Sequence, residues 1–188
     1  QLNNLNETNK SKAKEIDYLQ SFYNENAANE SKLTLALEFC LEKKKNIDNL
    51  KQILIDKKYN DKSIKILVAS MMASSNFSPS TITMENIKAS GQFELIRNIE
   101  FRENLIDTYN SYETTSQYEG LLTDYGNQYI TPFLFENLRF SDFSSLNENF
   151  AEKAEFENIV IGLDALLTQK INGYKANLKK LKKLNLQL

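Results

Sequence analysis

Five glycines and two prolines in 188 residues leave this chain few places to turn. Hairpins and tight loops draw on both, because Gly supplies positive φ and Pro presets the turn geometry. A chain so short of them is committed to long helices with few connections. Lys, Glu, Leu and Asn dominate the rest, as in amphipathic helices. The expected fold class is all-α: an elongated antiparallel helical bundle of about four main helices, the first and last long. One helical-bundle domain is expected over residues 1–188.

The apolar spacing lays out those helices. Over residues 2–57, Leu2, Leu5, Ile16, Leu19, Tyr23, Leu33, Leu37, Cys40, Ile47, Leu50 and Leu54 recur mostly at three- and four-residue steps or their sums. Unbroken, such a helix is roughly 80 Å long, which suits a rod or stalk. Across 24–31 (NENAANES) the apolar residues thin out, which predicts a kink or break. A second helix follows residues 59–60 with Asp61 as its N-cap, and its apolar face is Ile64, Leu67, Val68, Met71 and Met72. SSNFSPST (74–81) is a loop by composition.

The segment 83–106 is the densest in signals. A short helix over 81–89 stops at Ser90-Gly91, where Gly suits a left-handed cap. Phe93, Leu95 and Ile96 cross an apolar corner, and Asn98 caps the next helix with Glu100 in its first turn. That helix runs from 99 to 129 and beyond on Phe101, Leu105, Tyr109, Tyr112, Leu122, Tyr125, Tyr129 and Phe133. Pro132 is expected to kink or end it near Ile130. Residues 135–146 read as an aromatic loop over one end of the bundle. The last helix is expected from 147–149 to about Leu186, on Phe156, Ile159, Val160, Leu163, Leu167, Ile171, Tyr174, Leu178, Leu181 and Leu188.

The catalytic inventory is thin. There is no His, so the usual neutral-pH base and commonest metal ligand are missing. Glu38, Glu42, Glu148, Glu152 and Glu155 have no His with which to build a di-iron bundle, and read as solvated faces. Cys40 is the sole cysteine, which excludes an intrachain disulfide, and its place on the first stripe reads as a buried hydrophobe. The glycines are scattered singly, so no phosphate loop forms. A net charge of −2 offers no field to nucleic acid. No catalytic, cofactor or metal site is expected, and no enzyme.

Three features remain as candidate contacts. Tyr109, Tyr112, Tyr118, Tyr125 and Tyr129 either line a ligand pocket or form a wide core edge, the simpler reading. Arg97 and Arg102 flank the start of the third long stripe, where pairing with Glu85, Glu94 or a helix carbonyl is simpler than ligand binding. Arg97, Arg102, Tyr109 and Tyr112 are the candidate ligand or partner contacts. After Asp164 no acidic residue follows, while Lys170, Lys175, Lys179, Lys180, Lys182 and Lys183 do. Lys175, Lys179, Lys180, Lys182 and Lys183 are candidates for an anionic membrane surface, set against a solvated face that suits the C-terminal helix dipole.

Two motifs about 80 residues apart carry a resemblance. Gln1 to Glu7 reads QLNNLNE. The later motif comprises Thr83, Glu85, Asn86, Ile87, Ser90, Gly91, Leu95, Ile96, Asn98, Phe101 and Arg102. Together they resemble a bacterial family of unknown function common in the Bacteroidetes, domain of unknown function six thousand and ninety. Leu2 and Leu5 stand where that family usually has Ile and Trp. The resemblance implies a basic tail and one transmembrane helix before Gln1, and a place on the periplasmic face of the inner membrane. It also implies a membrane-proximal stalk from residues 1–30 and 165–188, and no catalytic residue. A start at Gln1, already inside a helical pattern, fits a fragment or a mature form. The function expected is that of a non-enzymatic interaction or scaffold module for an envelope protein or a second copy, with a sensor-type ligand-binding bundle as the alternative.

Overall fold

The computed structural model describes the backbone of residues 2–188 and the side chains of residues 7–188. Gln1 and the side chains of residues 2–6, which hold all of the first family motif but Glu7 and open the first stripe with Leu2 and Leu5, lie outside these. The described chain is helical almost throughout, as the scarcity of turn residues predicts. Its helices are α1 (Leu2–Ile55), α2 (Ile64–Met72), α3 (Ile82–Ala89), α4 (Ile99–Tyr125), α5 (Thr131–Asn137) and α6 (Ala154–Asn185). Two-residue strands β1 (Leu138–Arg139) and β2 (Ser144–Ser145) pair antiparallel within the expected aromatic loop. No helix among the described residues is long and apolar enough to cross a membrane.

The chain forms two compact units. Unit 1 comprises residues up to Leu35, Phe77–Thr114 and Lys175–Leu188, and unit 2 comprises Ala36–Asn76 and Thr115–Tyr174. Each has its own core. In unit 1 this includes Phe22, Leu33, Ile87, Ile96, Phe101, Leu105 and Leu181. In unit 2 it includes Ile47, Leu50, Val68, Leu134, Phe156, Val160 and Leu167.

Of the kink or break expected at 24–31, the break does not occur: α1 runs through as one helix. The reason lies in its buried row. Phe22, Asn26, Asn29, Leu33, Ala36, Cys40, Lys43, Ile47, Leu50 and Leu54 are all buried, at alternating steps of four and three. That is a period of 3.5 residues, the seam of heptad packing. The sequence looked broken only because two seam positions are asparagines. Two apolar assignments also shift: Phe22 holds the core where Tyr23 was expected, while Tyr23 and Ile16 are exposed.

The same step pattern recurs in α4, through Phe101, Leu105, Thr108, Tyr112, Thr115 and Glu119. It recurs again in α6, through Phe156, Val160, Leu163, Leu167, Lys170, Tyr174, Asn177, Leu181 and Leu184. Tyrosines and Cys40 aside, every buried polar side chain among the described residues except Asn137 falls on one of these three seams. Polar groups at seam positions cost stability and fix register, provided each finds a partner.

The helix ends follow local chemistry. α3 stops in a six-residue motif in which the Gly91 amide donates to Lys88 O (3.1 Å) and the Gln92 amide to Ile87 O (3.1 Å). Gly91 has φ +66°, as the sequence predicts. α1 ends in the same motif with Lys57 at the left-handed position, φ 55°. Asn98 caps α4 by accepting the Phe101 amide at 3.0 Å. Asp61 is not the N-cap of α2; its carboxylate instead closes the turn before the helix, accepting from the Ser63 amide at 2.8 Å.

Pro132 does not end the third stripe. A π-helical turn over Gly126–Ile130 passes the chain from α4 into α5, with Pro132 in the first turn of α5. The extra residue of the π turn interrupts the regular hydrogen-bond ladder where Pro132, which lacks an N–H, enters it. The last helix begins at Ala154, later than expected, after a 3-10 turn over Phe150–Glu152. Gly162 is needed for contact: a Cβ there would lie 2.1 Å from the Tyr125 hydroxyl. That hydroxyl donates to Ile159 O at 3.1 Å.

Candidate functional site

Both units bury charged or amide side chains, and each such cluster grips a backbone segment. In unit 1 the grip comes from one turn of α1. Glu25 accepts from the Thr83 amide (2.9 Å), the Thr83 hydroxyl (3.1 Å) and the Ser80 hydroxyl (3.1 Å). Thr83 is the second residue of α3, so Glu25 caps that helix from another helix. Thr81, at the N-cap position itself, makes no capping bond. Asn29 clasps Ser80 twice: its amide donates to Ser80 O and its carbonyl accepts the Ser80 amide, both at 2.8 Å.

Two of the candidate contact residues close this cluster. Tyr109 donates its hydroxyl to Glu25, and Tyr109 and Tyr112 are both buried. Their rings lie 5.2 Å apart, with Phe22 edge-on to Tyr109 and Phe77 edge-on to Tyr112. Burial, then the Glu25 bond and charge, pushes the Tyr109 phenol well above its ordinary pKa. Burial also raises Tyr112, and the Asn29 amide opposes it. The two arginines have carboxylate partners: Arg102 pairs with Glu94, as the simpler reading holds. Arg97 meets Glu15, which accepts its backbone amide at 2.8 Å and lies 3.5 Å from its Nε.

The lysine tail divides. Lys180 pairs with Asp107 at 2.9 Å, and Lys183 donates to Asn104 Oδ1 at 3.1 Å with Glu100 at 3.9 Å. Lys175, Lys179 and Lys182 are exposed.

In unit 2 the buried polar groups are cationic. Lys43, 6% exposed, donates to Met71 O (2.9 Å) and Ala73 O (2.6 Å), and so caps the C-terminal end of α2 from α1. Lys170, 1% exposed, donates to Ser75 O and Asn76 Oδ1, both at 2.8 Å, and lies over the Tyr174 ring. Tyr174 donates to the buried carboxylate of Glu119. Burial, then the like charge of Lys170, lowers the Lys43 pKa to about 8. Burial lowers Lys170 too, against the pull of Cys40 and Glu119. Burial raises the Cys40 thiol against both lysines, so it stays protonated and inert, as its stripe position suggests.

A carboxylate cluster completes the unit. Asp164 on α6 lies 2.8 Å from Lys44 Nζ and also binds Lys51, both on α1. Burial opposes ionisation there, but the two lysines outweigh it and hold the carboxyl below its ordinary range.

Next to Lys43 opens a cavity of about 130 Å³, walled by the stretch after α2, by Leu122 and Thr123 of α4, and by the π turn. π turns recur at functional sites because they interrupt the regular hydrogen-bond ladder. Sequence reasoning missed Lys43 and Glu25, and placed Lys170 in the solvated tail. The available signal was position: each lies on or beside an apolar row at three- and four-residue steps. No group of side chains among the described residues could hold a metal ion. No protein-family model, curated protein or solved structure matches the chain.

Proposed function

We propose that this chain is a non-enzymatic interaction or scaffold module of the bacterial envelope, an elongated antiparallel bundle that works through contact. The observation that carries this reading is a second apolar row on α1. Ile16 and Tyr23 are 64% and 48% exposed, and with Leu19, Gln20 and Leu188 they line an open groove in unit 1. Rows of this kind commonly mark surfaces that another molecule covers. The inner polar groups support it from the other side, since Glu25, Lys43 and Lys170 are engaged in holding backbone and Glu119 in holding Tyr174.

The membrane anchor and periplasmic side rest on the resemblance of both motifs to the Bacteroidetes family. Lys175, Lys179, Lys182 and Lys183 are exposed cations that an anionic surface would meet. In this reading the occupant of the groove is another helix, from an envelope protein or a second copy. Wild type and the Ile16→Glu/Tyr23→Glu double variant are compared by sedimentation velocity and by capture from detergent extracts of envelopes. The expected outcome is a wild-type complex, with itself or an envelope protein, that the variant loses. A monomeric wild type whose captured proteins are the same as the variant's removes the reading. Fractionation of cells making the full-length protein tests the location, and a soluble, cytoplasmic protein rules out the anchor.

A further inference from the structure

The buried charges of unit 2 do not balance. Lys43 and Lys170 are buried ammonium groups, and Glu119 is the buried carboxylate. Glu119 acts on Lys170 and Cys40, while the groups acting on Lys43 are Lys170 from α6 and the Cys40 thiol from α1. Lys43 thus carries a buried charge whose hydrogen-bond partners are the Met71 and Ala73 carbonyls, and it forms no ion pair among the described residues. Uncompensated buried charges are costly, and a counter-ion relieves the cost.

Lys43 also borders the cavity beside the π turn. An ammonium has three donors, and Met71 O and Ala73 O take two. The third remains for the cavity, whose other buried members are the apolar Met71, Ile130 and Leu163. Around its mouth lie the exposed Met72, Asn76 and Asn127. One buried cation beside the apolar Met71, Ile130 and Leu163, with the polar Ser74, Thr123, Asn127 and Thr131 also lining the cavity, suits one negative group on a short, partly apolar body. The volume of about 130 Å³ is near that of a cavity that takes benzene, which sets the size at about six non-hydrogen atoms.

We propose that this cavity binds a short-chain monocarboxylate, its carboxylate on the Lys43 ammonium and its hydrocarbon tail against Leu122 and Ile130. The inference stands apart from the interaction reading, because it concerns unit 2 alone and its test is direct binding. It also carries a pH signature. The ammonium that receives the anion deprotonates near pH 8, so affinity falls as the pH rises through that value.

The test is a titration of sodium butyrate into the nitrogen-labelled full chain, followed by amide NMR at fixed ionic strength. Saturable shifts at the Ala73, Gly126 and Asn127 amides are expected, with a dissociation constant on the order of 1 mM. Lys43→Met should weaken binding about tenfold or more. Because that variant also uncaps α2, Gly126→Leu serves as the second: a Cβ at Gly126 meets no heavy atom within 4 Å, and Lys43 stays in place. It should retain its unfolding midpoint and lose butyrate by a similar factor. The proposal is overturned by shifts that do not saturate, by unchanged affinity in Lys43→Met, or by unchanged affinity in a folded Gly126→Leu. Equal shifts with sodium chloride or inorganic phosphate overturn it as well, because they mark a general ion effect.

Discussion

Lys57 and Gly91 occupy the same left-handed position in two copies of one helix stop, at φ 55° and +66°. A side chain is strained there by about 1 kcal/mol, and glycine is not. Lys57→Gly should therefore stabilise the protein by about 0.5 kcal/mol, net of the extra freedom glycine gives the unfolded chain, while Gly91→Ala should cost about 1 kcal/mol. Urea unfolding of both variants checks the pair, and a destabilised Lys57→Gly would refute the shared geometry. The two stops also differ in legibility. Gly91 announces itself by residue type, after a helical pattern and before an apolar corner. Lys57 is one more lysine in a lysine-rich stretch, and its backbone angle is set by the hydrogen bonds of its neighbours.

At the scale of elements, α3 is held less by its own sequence than by α1. The Thr83 amide in its first turn is satisfied by Glu25, and Ser80, two residues before the helix, is clasped by Asn29. Glu25→Ala should cost about 2 kcal/mol, the upper range for a lost cap, because it also strands Tyr109. Thr81→Ala, at the formal N-cap, should be nearly neutral, because that hydroxyl bonds the Glu85 side chain and caps no amide. Hydrogen exchange of the α3 amides separates the two: faster exchange in Thr81→Ala than in Glu25→Ala would reverse the assignment. This arrangement explains the misread stretch at 24–31. Glu25, Asn26 and Asn29 look like a polar interruption because periodicity counts apolar residues only. Their partners lie about fifty to eighty residues away in sequence, where no local pattern reaches. Lys43 was hidden the same way inside a run of three lysines, and Lys170 at the head of a basic tail.

For the molecule as a whole, the titration of buried groups sets how stability responds to pH. Lys43 has its folded pKa depressed to about 8, below that of an unfolded lysine. Between those values the unfolded chain binds more protons, so stability rises with pH. The penalty is full below the folded pKa and fades above it. A gain of about 1 kcal/mol is expected from about pH 7.5 to about pH 9. Cys40, Tyr109 and Tyr112 have raised pKa values, and they reverse the trend at higher pH, where the unfolded chain ionises first. Urea midpoints across this range should rise and then fall, and Lys43→Met should flatten the rise whatever its absolute stability. A wild-type profile that falls steadily from neutral pH would mean that Lys43 is solvated. The all-α class was legible in the missing turn residues, and the cluster that shapes this profile was not, because burial of a charge depends on tertiary partners.

The sole thiol of the chain sits in the seam of unit 2, 2% exposed and held in its unreactive form. Without any substitution, the protein thus carries a clock for the opening of that unit. A thiol reagent in excess can reach Cys40 only when the helices around it part, and each molecule records its first such event as a single covalent mark. Unit 1 carries no cysteine to blur the record. Labelling rates with and without a carboxylate in the cavity would read breathing of unit 2 alone, in seconds or hours, beneath the threshold at which the whole chain unfolds.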